Sequence, residues 1–319
     1  MSEQISLKPV DGVDVTILVD NTMDVLLPGN EVAHRAPIRS TTFESPPLLA
    51  EHGYSLLLTI HHEGRSESLL YDAGLGENTA VHNMDVLGVQ MDDLRAIVLS
   101  HGHTDHHGGL KSVLKRVGKQ NLPLVLHPDV WLDRKGTFGD GGELHLPPPS
   151  RADLEQEGVE IVERRDPSLL LDDMVLVTGQ VERTTDFEKG VPTHLARSGE
   201  EWQPDPWVWD DQAIMINVKD KGLVVLSGCS HSGIVNVLRY GKHLTGIEQV
   251  HGVVGGFHLS GGFYEQVIPP TVDALVEMQP DVIVPGHCTG WKAIHAIAQR
   301  MPQAYVQTCV GTRLHFEHA

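Results

Sequence analysis

The chain has 319 residues, 40% of them hydrophobic and 21% charged, with a formal net charge of −19 and three cysteines. So acidic a surface repels polyanions, which argues against generic binding to DNA, RNA or anionic lipid. No run approaches the ~20 apolar residues that span a bilayer, the N-terminal stretch lacks a secretory pattern and three cysteines are too few for a disulfide framework, so the sequence reads as a cytoplasmic protein.

In chain order, "VDVTILVDN" (13–21) is strand-like through its β-branched residues, and 22–50, with four prolines, reads as irregular. "YSLLLTIHHEGRSESLLYDAG" predicts a hairpin about Glu63-Gly64, with His61 and His62 solvated at the turn and not ligands. "LRAIVLS" is a short buried strand that runs into "HGHTDHHGG", and "GLKSVLKRVGK" has helical spacing with a basic C-terminal end. The pattern weakens from about 127 to 210. There "KGTFGDGGELHLPPPS" reads as loop, "VEIVE" and "MVLVTG" as strands, and Trp202, Trp207 and Trp209 as either a substrate wall or ordinary loop packing.

The last third alternates. "AIMINVK", "GLVVLSG", "VHGVVGG", "DVIVPGH" and "YVQTCVG" predict strands, with helices near 233–243, 270–278 and 290–300. No linker or repeat divides the chain, so the expectation is one domain over 1–319, with a loop-rich insertion at roughly 128–210 shaping the substrate pocket.

The histidine run carries the chemistry. Side chains two apart in extended chain face the same side, so His101 and His103 converge on one ion. Asp105 and His106 follow in the turn and face a second, and Gly108 and Gly109 let the backbone turn tightly. His107 is left over, solvent-facing and without a ligand role. Imidazole and carboxylate ligation suits zinc, with manganese and iron as alternatives. Later strand ends add His231, with Cys229 as thiolate ligand or small buried thiol, then His258 as ligand or proton donor, and His287. Strand ends at one sheet edge are where α/β proteins gather active sites.

"HGHTDH" matches the His-x-His-x-Asp-His motif of the metallo-β-lactamase superfamily, and "LLYDAG" resembles the aspartate motif that precedes it. "SGCSHSGIVN", "GGFHLSGG" and "PGHCTG" resemble a branch labelled metal-dependent hydrolases, or dihydropterin ribofuranosyl-aminobenzene phosphate synthase-like proteins. The resemblance spans about Val15 to Gly311. It implies an α/β fold, the four-layer αβ/βα sandwich, with a dinuclear site at the loop ends. It also implies His101 and His103 on the first metal, Asp105, His106 and His287 on the second, and Asp72 orienting the ligand loop. Where the superfamily places a bridging aspartate, "SGCSH" offers Cys229 and His231, and His231 is taken as the missing first-metal ligand.

The expected activity is a metal-dependent hydrolase in which two divalent ions share a hydroxide that attacks a small ester, lactone or phosphodiester-type substrate. Asp105 orients that hydroxide and His258 acts as general acid or oxyanion donor. The alternatives are a mononuclear-iron sulfur dioxygenase-like enzyme and a non-catalytic metal- or ligand-binding protein of the same fold. Arg35, Arg39, Arg134 and Lys135 read as solvated surface charge, or as anion ligands for a substrate. The sequence carries no signal for oligomeric state.

Overall fold

A computed structural model of the chain describes residues 4–37, 46–137 and 141–318. An eight-stranded sheet runs, in spatial order, β2 (Ala33–His34), β18 (Arg313–Glu317), β1 (Gly12–Val19), β3 (Ser55–His62), β4 (Arg65–Tyr71), β5 (Leu94–Val98), β6 (Leu122–Leu126) and β9 (Val159–Glu163). A six-stranded sheet runs β10 (Ser168–Leu170), β11 (Val175–Val177), β14 (Ala213–Val218), β15 (Gly222–Ser227), β16 (Val250–Gly256) and β17 (Val282–Gly286). A small sheet of four strands, β13 (Glu201–Pro204), β12 (His194–Ser198), β7 (Arg134–Thr137) and β8 (Glu143–Leu146), is built wholly from the middle of the chain.

Strand alternation sorts the apolar side chains into layers. Val13, Val15 and Ile17 of β1, Leu56, Leu58 and Ile60 of β3, and Leu69 and Tyr71 of β4 meet Ile214, Ile216, Val224 and Leu226 in one core between the two large sheets. The intervening residues point outward and are covered as well, which is why these strands read as continuous apolar runs. On one outside, Leu57, Leu70 and Ile97 pack under α1 (Thr79–Leu87), α3 (Leu110–Val117) and α4 (Arg151–Gln156). On the other, Met215, Leu223 and Val225 pack under α5 (Ile234–Thr245), α6 (Ile268–Met278) and α7 (Trp291–Arg300). The order helix, sheet, sheet, helix is the expected αβ/βα sandwich. Among the described residues no helix is long and apolar enough to cross a membrane.

Within the sheets, β4, β5, β6 and β9 are mutually parallel, as are β15, β16 and β17. Their C-terminal ends therefore lie along one edge, and Asp72, His101, Cys229, His258 and His287 each follow such an end within a few residues.

Two expectations about elements need correction. "YVQTCVG" is not a strand: Tyr305 makes a single bridge to Ile283, and the chain then crosses to the end of β1, where the Gly311 N–H bonds to the Ile17 carbonyl. The terminal strand is β18, whose Leu314 and Phe316 alternate into the core. "KGTFGDGGELHLPPPS" is not all loop, since β7 and β8 pair within it. The alternation in "ELHL" is only four residues long and stands between glycines and prolines, so it reads as loop.

Candidate metal centre

The site begins with how β4 ends. Asp72 sits in the left-handed region at φ 60° and is fully buried. Its carboxylate accepts from Ser100 N at 2.7 Å, from Ser100 Oγ at 2.7 Å and from His106 Nδ1 at 2.6 Å. That leaves His106 Nε2 facing the opposite way, into the site. After β5 the chain stays extended through His103, then turns into α2 (Thr104–His107), which brings Asp105 and His106 onto the same side. Gly108 and Gly109 are required by close packing and not by backbone angle: a Cβ on Gly108 would lie 2.0 Å from the Leu75 carbonyl oxygen, and one on Gly109 2.3 Å from that of Ala73.

Two donor sets result. His101 Nε2 and His103 Nδ1 are 2.9 Å apart, and His231 Nε2 lies 3.1 Å from the first and 3.2 Å from the second. Beside them, Asp105 Oδ2 lies 3.2 Å from His287 Nε2 and 3.6 Å from His106 Nε2. Cys229 Sγ stands between the sets, 3.2 Å from His106 Nε2, and groups both with Asp105, His106 and His287 and with His101 and His231, all ligand atoms within 4.8 Å.

Electrostatics set the protonation of the first set. Burial, reinforced by neighbouring imidazoles, holds His101, His103 and His231 well below the usual histidine range. They are therefore neutral at pH 7, the form that ligates a metal. Neutral imidazoles carry one N–H each, so three ring nitrogens this close cannot all satisfy one another; a cation between them would. Asp105 is largely buried, and although burial opposes it, the facing His106 and His287 hold its carboxyl well below the carboxylate range. Three imidazoles in one set and two imidazoles with a carboxylate in the other fit two divalent ions.

The structure thus brings together His101, His103, Asp105, His106, His231 and His287, with Asp72 behind them and Cys229 between the sets. His258 joins neither set directly; its ring centroid is 4.2 Å from that of His231. His107 is tucked in and not solvent-facing: burial pushes its pKa down to about 4, and it joins no ligand group. His61 and His62 end β3, far from the site, and pair with Asp14 and Glu63. The cations are not free surface charge either. Arg134 is fully buried and bonds Asp205 and Asp210, whose Oδ2 in turn accepts the Gly102 N–H between His101 and His103. Arg35 bonds the Gln307 carbonyl and Thr312, and Lys135 pairs with Glu143; Arg39 lies outside the described residues.

None of the three tryptophans lines either cavity at the centre. Trp207 and Trp209 flank the Arg183 guanidinium at 5.7 and 5.2 Å, and that group also donates to the His231 carbonyl. Two contributors carried no motif in the sequence. Asp20 accepts the backbone N–H of His287, and His194, on β12, stacks edge-on to His103 at 4.9 Å.

A cavity of about 490 Å³ opens over the centre, lined by His103, Asp105, His194 and His258 and walled by Leu144 and Pro147. A second, of about 280 Å³, meets it at His231 and His258 and is lined by Phe187, Phe257, Phe263 and Tyr264.

The sequence profile of the Metallo-beta-lactamase superfamily matches residues 50–287. The chain is 30% identical over 276 residues to the 7,8-dihydropterin-6-methyl-4-(beta-D-ribofuranosyl)-aminobenzene-5'-phosphate synthase of Methanocaldococcus jannaschii, covering 85% of this chain and 92% of that one. To an uncharacterized protein of the same organism it is 33% identical over 259 residues, covering 78% of this chain and 88% of the other. Among solved structures, Tm1679, described as a metal-dependent hydrolase of the beta-lactamase superfamily, superposes with a TM-score of 0.71 at 23% identity over 95% of this chain and 98% of its own. The metallo-beta-lactamase fold protein YhfI of Bacillus subtilis superposes with a TM-score of 0.52 at 14% identity over 96% and 99%.

Proposed function

The chain belongs to the metallo-beta-lactamase superfamily, and on that footing we propose that it is a metal-dependent hydrolase of small esters, lactones or phosphodiesters. The observation that carries this reading is the convergence of two donor sets at the floor of a cavity. His101, His103 and His231 would hold the first ion; Asp105, His106 and His287 would hold the second. Zinc suits this mixture of nitrogen, oxygen and neighbouring sulfur donors. Two divalent ions bound there would supply Lewis acidity and an activated water.

The chain's own groups do the rest. Asp105, held ionised, orients the attacking water and accepts its hydrogen bond. Asp72 fixes the His106 ring so that only Nε2 faces the centre. His258, at the junction of the two cavities, donates a proton to the departing oxygen. Within the stretch 128–210 of a single domain, Leu144, Leu146, Pro147 and His194 wall the pocket, while α4, β9, β10 and β11 belong to the sandwich itself. The three free cysteines and the acidic surface suit a cytoplasmic protein acting on small molecules and not on nucleic acid.

The test is metal content of protein purified without chelator or histidine tag, followed by turnover on a panel of lactones, phosphodiesters and β-lactams. The pterin-linked phosphate named for the M. jannaschii relative belongs in that panel. Two zinc ions per chain and hydrolysis of one panel class are expected. A single iron replaces the proposal with sulfur oxidation, and no metal leaves a binding protein.

A further inference from the structure

Cys229, His258 and Cys288 form a third donor group, contiguous with the two sets and only partly used by them. Their ligand atoms lie within 4.8 Å of one another, with the two sulfurs 3.3 Å apart. All three residues line the larger cavity. Both cysteines are free and buried. Cys229 also lies within reach of both the first and the second set, but each of those sets has three donors without it.

His258 is held here at a cost. Its φ of 40° lies in the left-handed region, which is unfavourable for a residue with a Cβ. Its ring packs between His231, at 4.2 Å, and Tyr264, at 4.7 Å. Its Nδ1 is buried with no hydrogen-bond partner among the described residues. Two sulfurs with one imidazole make a soft set that favours thiophilic d¹⁰ ions over magnesium or manganese. Three protein donors leave a coordination position toward the cavity.

We propose that Cys229, His258 and Cys288 bind one thiophilic cation, Zn²⁺ or Cd²⁺, beyond the resident pair, and that this cation inhibits the enzyme. Each thiol that ligates exchanges its S–H bond for a metal–sulfur bond and releases one proton to solvent. The His258 lone pair is then committed to the cation, which takes this residue out of proton transfer. The inference rests on the two-position centre proposed above, and its test separates the two.

Protein as purified is equilibrated with Cd²⁺, total metal per chain is counted, and the thiolate-to-cadmium charge-transfer absorbance is recorded. Cys288→Ser and His258→Gln are treated in parallel, so that misfolding of one variant leaves the other to decide. Three ions per chain in the wild type, falling to two in either variant with loss of part of the charge-transfer band in Cys288→Ser, are expected. Two ions in wild type and variants alike overturn the third position and leave the hydrolase reading standing. Fewer than two ions in the wild type overturn the two-position centre and this inference with it.

Discussion

Asp20 Oδ1 accepts the backbone N–H of His287 at 2.9 Å, tying the end of β1 to the end of β17 across 267 positions of sequence. The other carboxylate oxygen accepts from Thr308 Oγ1, while Asn21 Nδ2 donates to the His287 carbonyl at 3.0 Å. Both polar groups of the His287 backbone are thus held from the same loop. His287 needs this, because its φ of 47° is unfavourable for a histidine.

Asp20→Ala should accordingly weaken the centre without touching a ligand. The substitution leaves the His287 N–H and the Thr308 hydroxyl buried without their acceptor, at about 1–3 kcal/mol for each group left unsatisfied. Supports behind metal ligands are typically worth about 10–100-fold in metal affinity. Chelator competition should show one of the two ions leaving more readily in the variant, with the other unchanged. Equal retention of both would remove Asp20 from any positioning role.

Arg134 gives a second prediction, about stability. Its guanidinium is fully buried between Asp205 and Asp210, with bonds of 2.7 Å to each. Arg134→Met fills similar space but leaves two carboxylates without their cation. Breaking a buried pair from one side costs roughly 3–5 kcal/mol. Arg134→Lys should recover only part of that, since one ammonium cannot span both carboxylates as the planar fork does. Because Asp210 also accepts the Gly102 N–H at 2.8 Å, metal content should fall along with the urea midpoint. A stable Arg134→Met protein with full metal would show the ion pair to be dispensable.

These two residues also show what was legible in the sequence and what was not. His101, His103, Asp105 and His106 could be read because the fold gathers them from one six-residue run, where backbone periodicity alone decides which side chains converge. His231, His258 and His287 could be read because each follows an apolar strand, and parallel strands bring their ends to one edge. Asp20 also follows a strand, but an aspartate before an asparagine looks like any turn, and its partner lies at the other end of the chain. Arg134 looked like surface charge because nothing local marks Asp205 and Asp210 as its partners. The small sheet escaped for a related reason: β7 pairs with β12 on one side and with β8 on the other through backbone bonds, in short strands set among glycines and prolines that read as loop.

Glu188 gives a prediction about pH. Its buried carboxyl accepts the backbone N–H groups of Val235 and Asn236 in the first turn of α5, and Thr185 Oγ1 donates to it at 3.0 Å. Burial outweighs these bonds and pushes its pKa up to about 7 from the usual 4.5. The folded protein then holds this proton more tightly than the unfolded chain does. Its stabilising contribution is complete below pH 4.5, declines as pH rises, and is gone above about 7. The size is on the order of 3 kcal/mol. Melting temperatures of wild type and Glu188→Gln, measured from pH 4 to 8, should therefore diverge in slope, the wild type losing stability faster as pH rises. Parallel curves would mean that Glu188 does not titrate in this range.

His258 is where chemistry and metal binding can be told apart. It contributes to neither the His101/His103/His231 set nor the Asp105/His106/His287 set, yet it lines both cavities where they meet. His258→Gln should therefore keep both resident ions and lose kcat by about 10²–10⁴-fold, the usual worth of a positioned proton donor. The loss should be smaller for a substrate whose leaving group is already a good one, because such a group needs no proton as it departs. That dependence is the decisive reading, since a merely structural defect would slow good and poor leaving groups alike. A uniform loss, or full turnover with full metal, would take proton donation away from His258.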